Sequence, residues 1–244
     1  MRTIKLVIEY DGTAYCGWQV QPHCPSVQAR LEQAVADLTG ERARVHGASR
    51  TDSGVHAMGQ VAHFHTASAI PGAQFARALN AHLPRDISVR SSEDAADDFH
   101  ARFHARAKLY HYLVENARTR PVLDRHRVWW VSWPLDTDAL EKAAELLVGT
   151  HDFTSLADAG RAGEENVRTV HCATWSRAGR RLTFAIAGNG FLHKMVRCVV
   201  GTLLEVGRGA RPPEWIAQVL AARDRTAAGP TAPPHGLHLV RVDY

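Results

Sequence analysis

Residues 3–10 alternate, with Ile4, Leu6, Ile8 and Tyr10 on one side and Lys5 and Glu9 on the other. A period of two is the mark of a half-buried strand. The period then changes. Val27, Leu31, Val35 and Leu38 recur at helical spacing, with Ser26 placed to cap the helix and Gly40 to end it. Residues 43–45 begin a second strand and residues 57–65 make a third. Residues 76–82 form a short helix stopped by Pro84, and residues 87–90 a fourth strand. Few folds accommodate this order of elements in so short a stretch.

The order is β-α-β-β-α-β, the split βαβ pattern of ferredoxin-like domains. Composition turns acidic and small over residues 91–98, so the sequence divides into an N-terminal α+β half, 1–100, and a second half, 101–244. The second half repeats the style without repeating the sequence. Residues 109–116 read as a strand with Tyr110, Tyr112 and Val114 on one face. Trp129 and Trp130 resume an apolar strand. Residues 136–148 are an amphipathic helix with Leu140, Ala143, Leu146 and Leu147 on one side. Residues 157–167, rich in Ala, Gly and charge, read as a long loop of the kind that often carries function. Strands at 170–176 and 182–187 follow, then a nearly all-apolar helix at 191–206, a helix at 214–222 and a closing strand at 237–242.

No apolar run approaches the ~18 residues of a membrane span. The first strand begins almost at once and leaves no room for a signal peptide. The expectation is a cytoplasmic protein with reduced thiols, since Cys16, Cys24, Cys172 and Cys198 are scattered and form no C-x-x-C pair. The net charge is +4, and 25 of the 29 basic residues are arginine. Arginine suits phosphate and planar-base contacts through its rigid fork, although a GC-rich genome also favours it.

The densest polar stretch runs from Gly47 to His56 and lies between two apolar segments. It holds Arg50, Asp52, His56 and the glycines Gly47 and Gly54 in ten positions and reads as a tight loop between strands. A loop aspartate is commonly a turn-former. Here Arg50 lies near enough to favour an ionised Asp52, Gly54 permits close approach of a ligand backbone, and strand ends are where sites are built. Asp52 is therefore the candidate catalytic carboxylate. No second carboxylate stands in the motif, which removes local support for paired-acid glycosidase chemistry. The motif also holds no D-x-D pair, the chain has no phosphate loop and no H-E-x-x-H, and Gly188-Asn189-Gly190 lacks the third glycine of a dinucleotide loop. Neither a cofactor nor a metal is expected. His100 and His104 are four apart, and His63 and His65 share a strand face, but scattered histidines are more often packing.

Tyr110 is the next candidate. A strand tyrosine is ordinarily core, yet one flanked by Arg102, Arg106, Lys108 and Arg118 also suits stacking on a base. Trp18, in an aromatic loop at 15–19, reads as packed beneath the core. Arg197 stands on an otherwise apolar helix, where a buried guanidinium requires a partner. No acid on its own helix serves, so one from elsewhere is implied, either Asp52 or a core acid unrelated to function.

The motif Ser49-Arg50-Thr51-Asp52-Ser53-Gly54-Val55-His56-Ala57 resembles the catalytic motif of tRNA pseudouridine synthases of the TruA type. Glu9-Tyr10-Asp11-Gly12, Gly17-Trp18-Gln19, Asp98-Phe99-His100-Ala101-Arg102-Phe103, Tyr110-His111-Tyr112, His151-Asp152-Phe153-Thr154-Ser155, His193-Lys194-Met195-Val196-Arg197 and Gly236-Leu237 are similar to further family motifs in family order. Ser49 and Ser53 depart from the Gly and Ala that many members carry. The resemblance implies two RRM-like α+β halves whose sheets join into one long mixed or antiparallel sheet, with the active-site cleft between them. It implies isomerisation of uridine to pseudouridine at positions 38, 39 and 40 of tRNA by a homodimer that needs no cofactor or metal. It implies that Asp52 is the nucleophile, that Tyr110 packs on the target base, that Arg50 assists flipping of the base, and that Arg197 pairs with the aspartate. Two other readings compete. A non-catalytic RNA-binding sheet would show an RNP1-like run, which is absent, and a metal-dependent hydrolase lacks its ligand spacing.

Overall fold

The computed structural model describes residues 1–158 and 166–244, and most of the expected loop at 157–167 lies outside them. Contacts divide the chain into two compact units. One comprises Met1–Arg106 with His238–Tyr244, and the other Ala107–Leu237. The division falls a few residues after the compositional shift, and the last strand returns to the first unit.

The first unit is built from β1 (Arg2–Tyr10), α1 (Val27–Thr39), β2 (His46–Gly47), β3 (His56–Thr66), α2 (Phe75–Asn80) and β4 (Ile87–Ala95). Its sheet order β4-β1-β3-β2 is antiparallel throughout, as the split βαβ reading expects. The alternation in β1 is realised: Ile4, Leu6 and Ile8 are fully buried. Phe64 of β3 lies beside Ile4 in the register and meets Phe75 of α2 edge-on at 5.5 Å. The opposite face carries Lys5 and His63. Helix α1 begins as read, with the Ser26 hydroxyl accepting from the Ala29 amide, and ends at Gly40 in the left-handed region. β10 (Leu237–Asp243) lies parallel to the start of β3, with His238 opposite His56 and Leu239 opposite Ala57.

Three expectations are corrected here. Residues 43–45 are not a strand; β2 is only His46–Gly47. Val45 is buried, but its carbonyl accepts from Gln28 Nε2 at 2.9 Å and its amide donates to Glu32 Oε1 at 3.1 Å. Side chains of α1 satisfy this backbone, so it needs no ladder. β4 continues through Ala95, across the acidic stretch taken as a boundary, because only one side of that edge strand has to be apolar. Finally, Cys16 and Cys24 are not independent thiols: they form a disulfide with Cα atoms 6.0 Å apart, while Cys172 and Cys198 are free.

The second unit holds β5 (Ala107–Asn116), β6 (Trp129–Val131), α3 (Thr137–Glu145), β7 (Gly149–Asp152), β8 (Val167–Ala178), β9 (Arg181–Gly188), α4 (Met195–Gly207) and α5 (Trp215–Ala222). Strands β5-β9-β8-β7 are antiparallel, and β6 adds in parallel to β5. Tyr112 and Val114 of β5 are fully buried, as the period of two requires. In α3 the buried face is Leu140, Ala143 and Ala144, whereas Leu146 lies beyond the helix end and is 37% exposed. Helix α4 starts at Met195 rather than at 191, because Lys194 takes a φ of 57°. β7 has no counterpart in the sequence reading; four residues after a helix carry too little pattern.

Candidate active site

The Asp52 loop is the point where β2 peels away from β3. His46 and Gly47 pair with His63 and Ala62, and the Ala48 amide donates to the Val61 carbonyl at 2.8 Å. At the next position a side chain replaces the strand. The Ser49 amide donates to Gln60 Oε1 at 3.1 Å, and Gln60 Nε2 donates to the Ser49 carbonyl at 2.6 Å. Beyond Ser49 the chain leaves the sheet. Arg50 is exposed, Thr51 is buried and Asp52 is half-buried. The Val55 amide donates to the Asp52 carbonyl at 3.1 Å, closing a turn in which Gly54 has a φ of 76°.

The first unit grips this loop from a second side. Tyr10, the last residue of β1, has its hydroxyl 2.7 Å from Thr51 Oγ1. The Trp18 amide donates to the Thr51 carbonyl at 3.1 Å. The Tyr15 carbonyl accepts from the Gly54 amide at 3.3 Å and from the Ser53 hydroxyl at 3.2 Å. At the end of the loop the Gly12 amide donates to His56 Nδ1 at 3.0 Å, and the His56 ring stacks on His238 at 4.8 Å. Gly12 and Gly17 both approach the loop closely; a Cβ on Gly12 would lie 2.0 Å from the Val55 carbonyl oxygen, and Gly17 faces Thr51 and Asp52. The φ of Gly17 is 93°, and a Cβ there would lie 2.4 Å from the Thr51 carbonyl oxygen. Trp18 is 3% exposed, with its ring against Gly47, the packed role read from the sequence. Tyr15 is anchored by donating to Asp86 Oδ1 at 2.7 Å. Burial, then that bond and the Asp86 charge, hold its phenol well above the usual range, so it remains a donor.

In the second unit, Tyr110 of β5 lies opposite Ile186 and is 6% exposed. Its ring meets Phe191 edge-on at 5.1 Å. Tyr112 donates to the Pro233 carbonyl at 2.8 Å, and burial raises its pKa against the opposing effect of the Arg197 charge. Arg197 stands in the first turn of α4 and is partly exposed. Its Nε donates to the Ala232 carbonyl at 2.9 Å, and the Ala232 amide returns a bond to the Arg197 carbonyl at 3.0 Å. A backbone carbonyl thus meets part of the demand that the sequence reading assigned wholly to an acid. Lys194, immediately before this helix, pairs with Asp158 at 2.9 Å.

Asp52 and Arg50 therefore share one loop of the first unit, and Tyr110 and Arg197 belong to the second. Gln60, Tyr10 and Tyr15 were missed as candidates. Gln60 had a signal, a polar side chain in a run otherwise fit for the core; the other two act through partners distant in sequence. His46, His63, His65 and His100 do cluster, with ring centroids 4.7–5.6 Å apart. Among the described residues, no group of three or more His, Cys, Asp or Glu is arranged to hold a metal ion. His63 is 1% exposed and accepts from the Ala101 amide. Burial, then the neighbouring histidines, push its pKa down to about 4.

The chain was compared with known proteins. A family model described as tRNA pseudouridine synthase matches residues 6–104 and 143–244. The tRNA pseudouridine synthase A of Acetivibrio thermocellus is 48% identical over 244 residues, covering 100% of both chains. That of Geobacillus kaustophilus is 48% identical over 242 residues, covering 99% of this chain and 94% of its own. A chain of a solved Cbf5-Nop10-Gar1 complex aligns with a TM-score of 0.40 at 13% identity, over 97% of this chain and 48% of that one, too loosely to support an argument. With the family's pattern extending over most of the sequence and near half the residues shared end to end with named members, this chain belongs to the tRNA pseudouridine synthase family.

Proposed function

We propose that the protein isomerises uridine to pseudouridine at positions 38, 39 and 40 in the anticodon arm of tRNA, with Asp52 as nucleophile and without a cofactor or metal. The observation that carries the assignment of Asp52 is its presentation. A half-buried carboxylate sits on a turn whose neighbouring backbone is held by hydrogen bonds to the main chain of Tyr15 and Trp18 and to the side-chain amide of Gln60. A reacting group held in this way keeps its geometry as substrate binds.

The chemistry is an internal transfer. The N1–C1′ bond breaks, the ring turns, C5 bonds to C1′, the C5 proton leaves and N1 gains one. Product and substrate are isomers, so no electron pair needs to enter or leave. Asp52 bonds transiently to the sugar or the base. A base in a stem must first be extruded at a cost of a few kcal/mol. Arg50, exposed on the loop, fills the space left in the stack, Tyr110 packs against the extruded base, and Arg197 balances the charge of the reacting aspartate. The arginine-rich surface holds the phosphates, which makes binding weaken steeply with salt. The enzyme works in the cytoplasm as a homodimer.

The test uses tRNA tritiated at uridine C5. Label should be released with no added metal or nucleotide, and mapping should place the product at 38–40. Asp52→Asn should abolish release while retaining most tRNA binding; a variant that turned over normally would overturn the assignment. Light scattering of the purified protein reads the dimer directly.

A further inference from the structure

We propose that Gln60 is a positioning residue for the reaction: its side-chain amide sets where the Asp52 loop departs from the sheet, and thereby where the carboxylate is presented. The proposal rests on the reading of Asp52 given above.

β3 has two neighbours on the edge that faces the loop. β2 pairs with it at Ala62 and His63, and β10 at His56 and Ala57. Position 60 falls between them, where neither strand reaches, while its own backbone is paired to Ile8 across the other edge. The amide side chain fills the gap. It offers one acceptor and one donor to Ser49, as the backbone of a neighbouring strand would, so the ladder ends on a side chain rather than on a strand. Gln60 is 0% exposed. A buried amide is costly unless both ends are satisfied, and here Ser49 satisfies both. Its neighbours Val61, Ala62 and Phe64 are all buried apolar residues, and an apolar side chain at 60 would spare that desolvation. What an apolar residue cannot do is hold the Ser49 N–H and C=O together. Ser49 is three residues before Asp52, so the clamp fixes one root of the loop, while Tyr10 and the Tyr15–Trp18 backbone fix its far side. A shift of about 1 Å at a reacting group is enough to cost on the order of a hundredfold in rate.

Two substitutions separate positioning from bulk. Gln60→Met keeps length and removes both bonds; kcat for C5-label release should fall by roughly ten- to a hundredfold while KM for tRNA stays within about twofold. Gln60→Glu is the sharper probe. A neutral carboxyl has one O–H donor and one carbonyl acceptor, the same pair the amide uses, whereas a carboxylate can only accept and faces the Ser49 carbonyl. A buried glutamate can remain neutral up to about pH 8. The kcat of Gln60→Glu relative to wild type should therefore rise as pH is lowered from about 8.5 to about 6, with KM for tRNA unchanged. A role in stability alone would not give a turnover ratio that recovers with protonation in folded enzyme. Folded Gln60→Met with wild-type kcat, or a Gln60→Glu ratio flat with pH, overturns the proposal. Should both variants fail to fold, hydrogen exchange of the wild-type protein decides: a Ser49 amide exchanging as freely as an unbonded one refutes the clamp, and strong protection supports it. Asp52→Asn is assayed alongside. If that variant turns over, the reading of Asp52 fails; if it is inactive while the Gln60 variants match wild type, only the clamp fails.

Discussion

Gly17→Ala should inactivate the enzyme without preventing it from folding. Two costs arise at this position. With φ at 93°, any side chain adds left-handed strain of about 1–2 kcal/mol. The new Cβ would also lie 2.4 Å from the Thr51 carbonyl oxygen, 3.0 Å from the Asp52 carbonyl carbon and 3.2 Å from the Ser53 nitrogen. Ordinary contact begins near 3.4 Å, so the nearest atom must retreat by about 1 Å, and all three atoms belong to the Asp52 loop. With Asp52 in the proposed role, a displacement of that size at its carboxylate corresponds to roughly a hundredfold loss in kcat. Gly40→Ala is the control. Its φ is 73° and nothing lies within 4 Å of the added carbon, so it bears only the strain. At about 2–4 °C per kcal/mol for a chain of this size, Gly40→Ala should lower Tm by about 2–8 °C and leave turnover intact. Gly17→Ala should melt lower still and lose turnover in single-turnover release of C5 label. If folded Gly17→Ala turned over within about threefold of Gly40→Ala, the tight fit between residues 15–18 and the loop would have no bearing on catalysis.

Acid should weaken the first unit through His63. The unfolded chain takes up its proton near pH 6.5, while the folded state refuses it until about pH 4, so between those values the unfolded state binds more protons and stability falls as pH is lowered. The loss should approach about 3 kcal/mol near pH 4, read from urea midpoints, and His63→Gln should flatten the slope; a slope unchanged in the variant would refute the assignment. In the second unit, Glu115 is 2% exposed and pairs with Arg180 and with Arg181 at 2.9 Å, and Arg181 also reaches Asp124 at 2.8 Å. Arg181→Met should cost about 2–3 kcal/mol, less than a fully orphaned buried charge because Arg180 remains, and adding Glu115→Leu should recover much of it. If the double variant were as unstable as the single, the buried charge would not be the cause. The Cys16–Cys24 bridge, spanning 8 residues, should contribute about 2.5 kcal/mol through the unfolded chain. Denatured protein should show two titratable thiols without reductant and four with it, and Tm should fall on reduction; four thiols at the outset would remove the bridge.

Much of the first unit was legible because its elements are long and carry period. The alternation in β1 and the capped stripe of α1 each bury the face that the pattern predicts, and the strand read at 57–65 is realised as the eleven residues of β3. Where the sequence reading failed, the stabilising partner was remote or the element too short. Val45 looked like a strand residue because it is apolar and buried, but Gln28 and Glu32 of α1 satisfy its backbone. Cys16 and Cys24 have no motif spacing, and only the turn between them brings the two together. Four residues of β7 hold no periodicity to find.

For the site, the chain alone pointed to Asp52 through local composition and to the family through motifs in order, because loop chemistry and motif spacing are local properties of a sequence. It could not say what holds the loop. Ser49 meets Gln60 eleven positions on, Thr51 meets Tyr10 forty-one positions back, and Ser53 meets Tyr15 thirty-eight positions back. The first contact extends the pairing of β2 with β3, and the other two depend on β1 and β3 lying side by side, a pairing of residues 47 to 64 positions apart that no window of sequence contains. The proposed reacting carboxylate was thus legible locally, while its placement was decided only when the sheet formed and brought an amide, a phenol and a glycine turn around it.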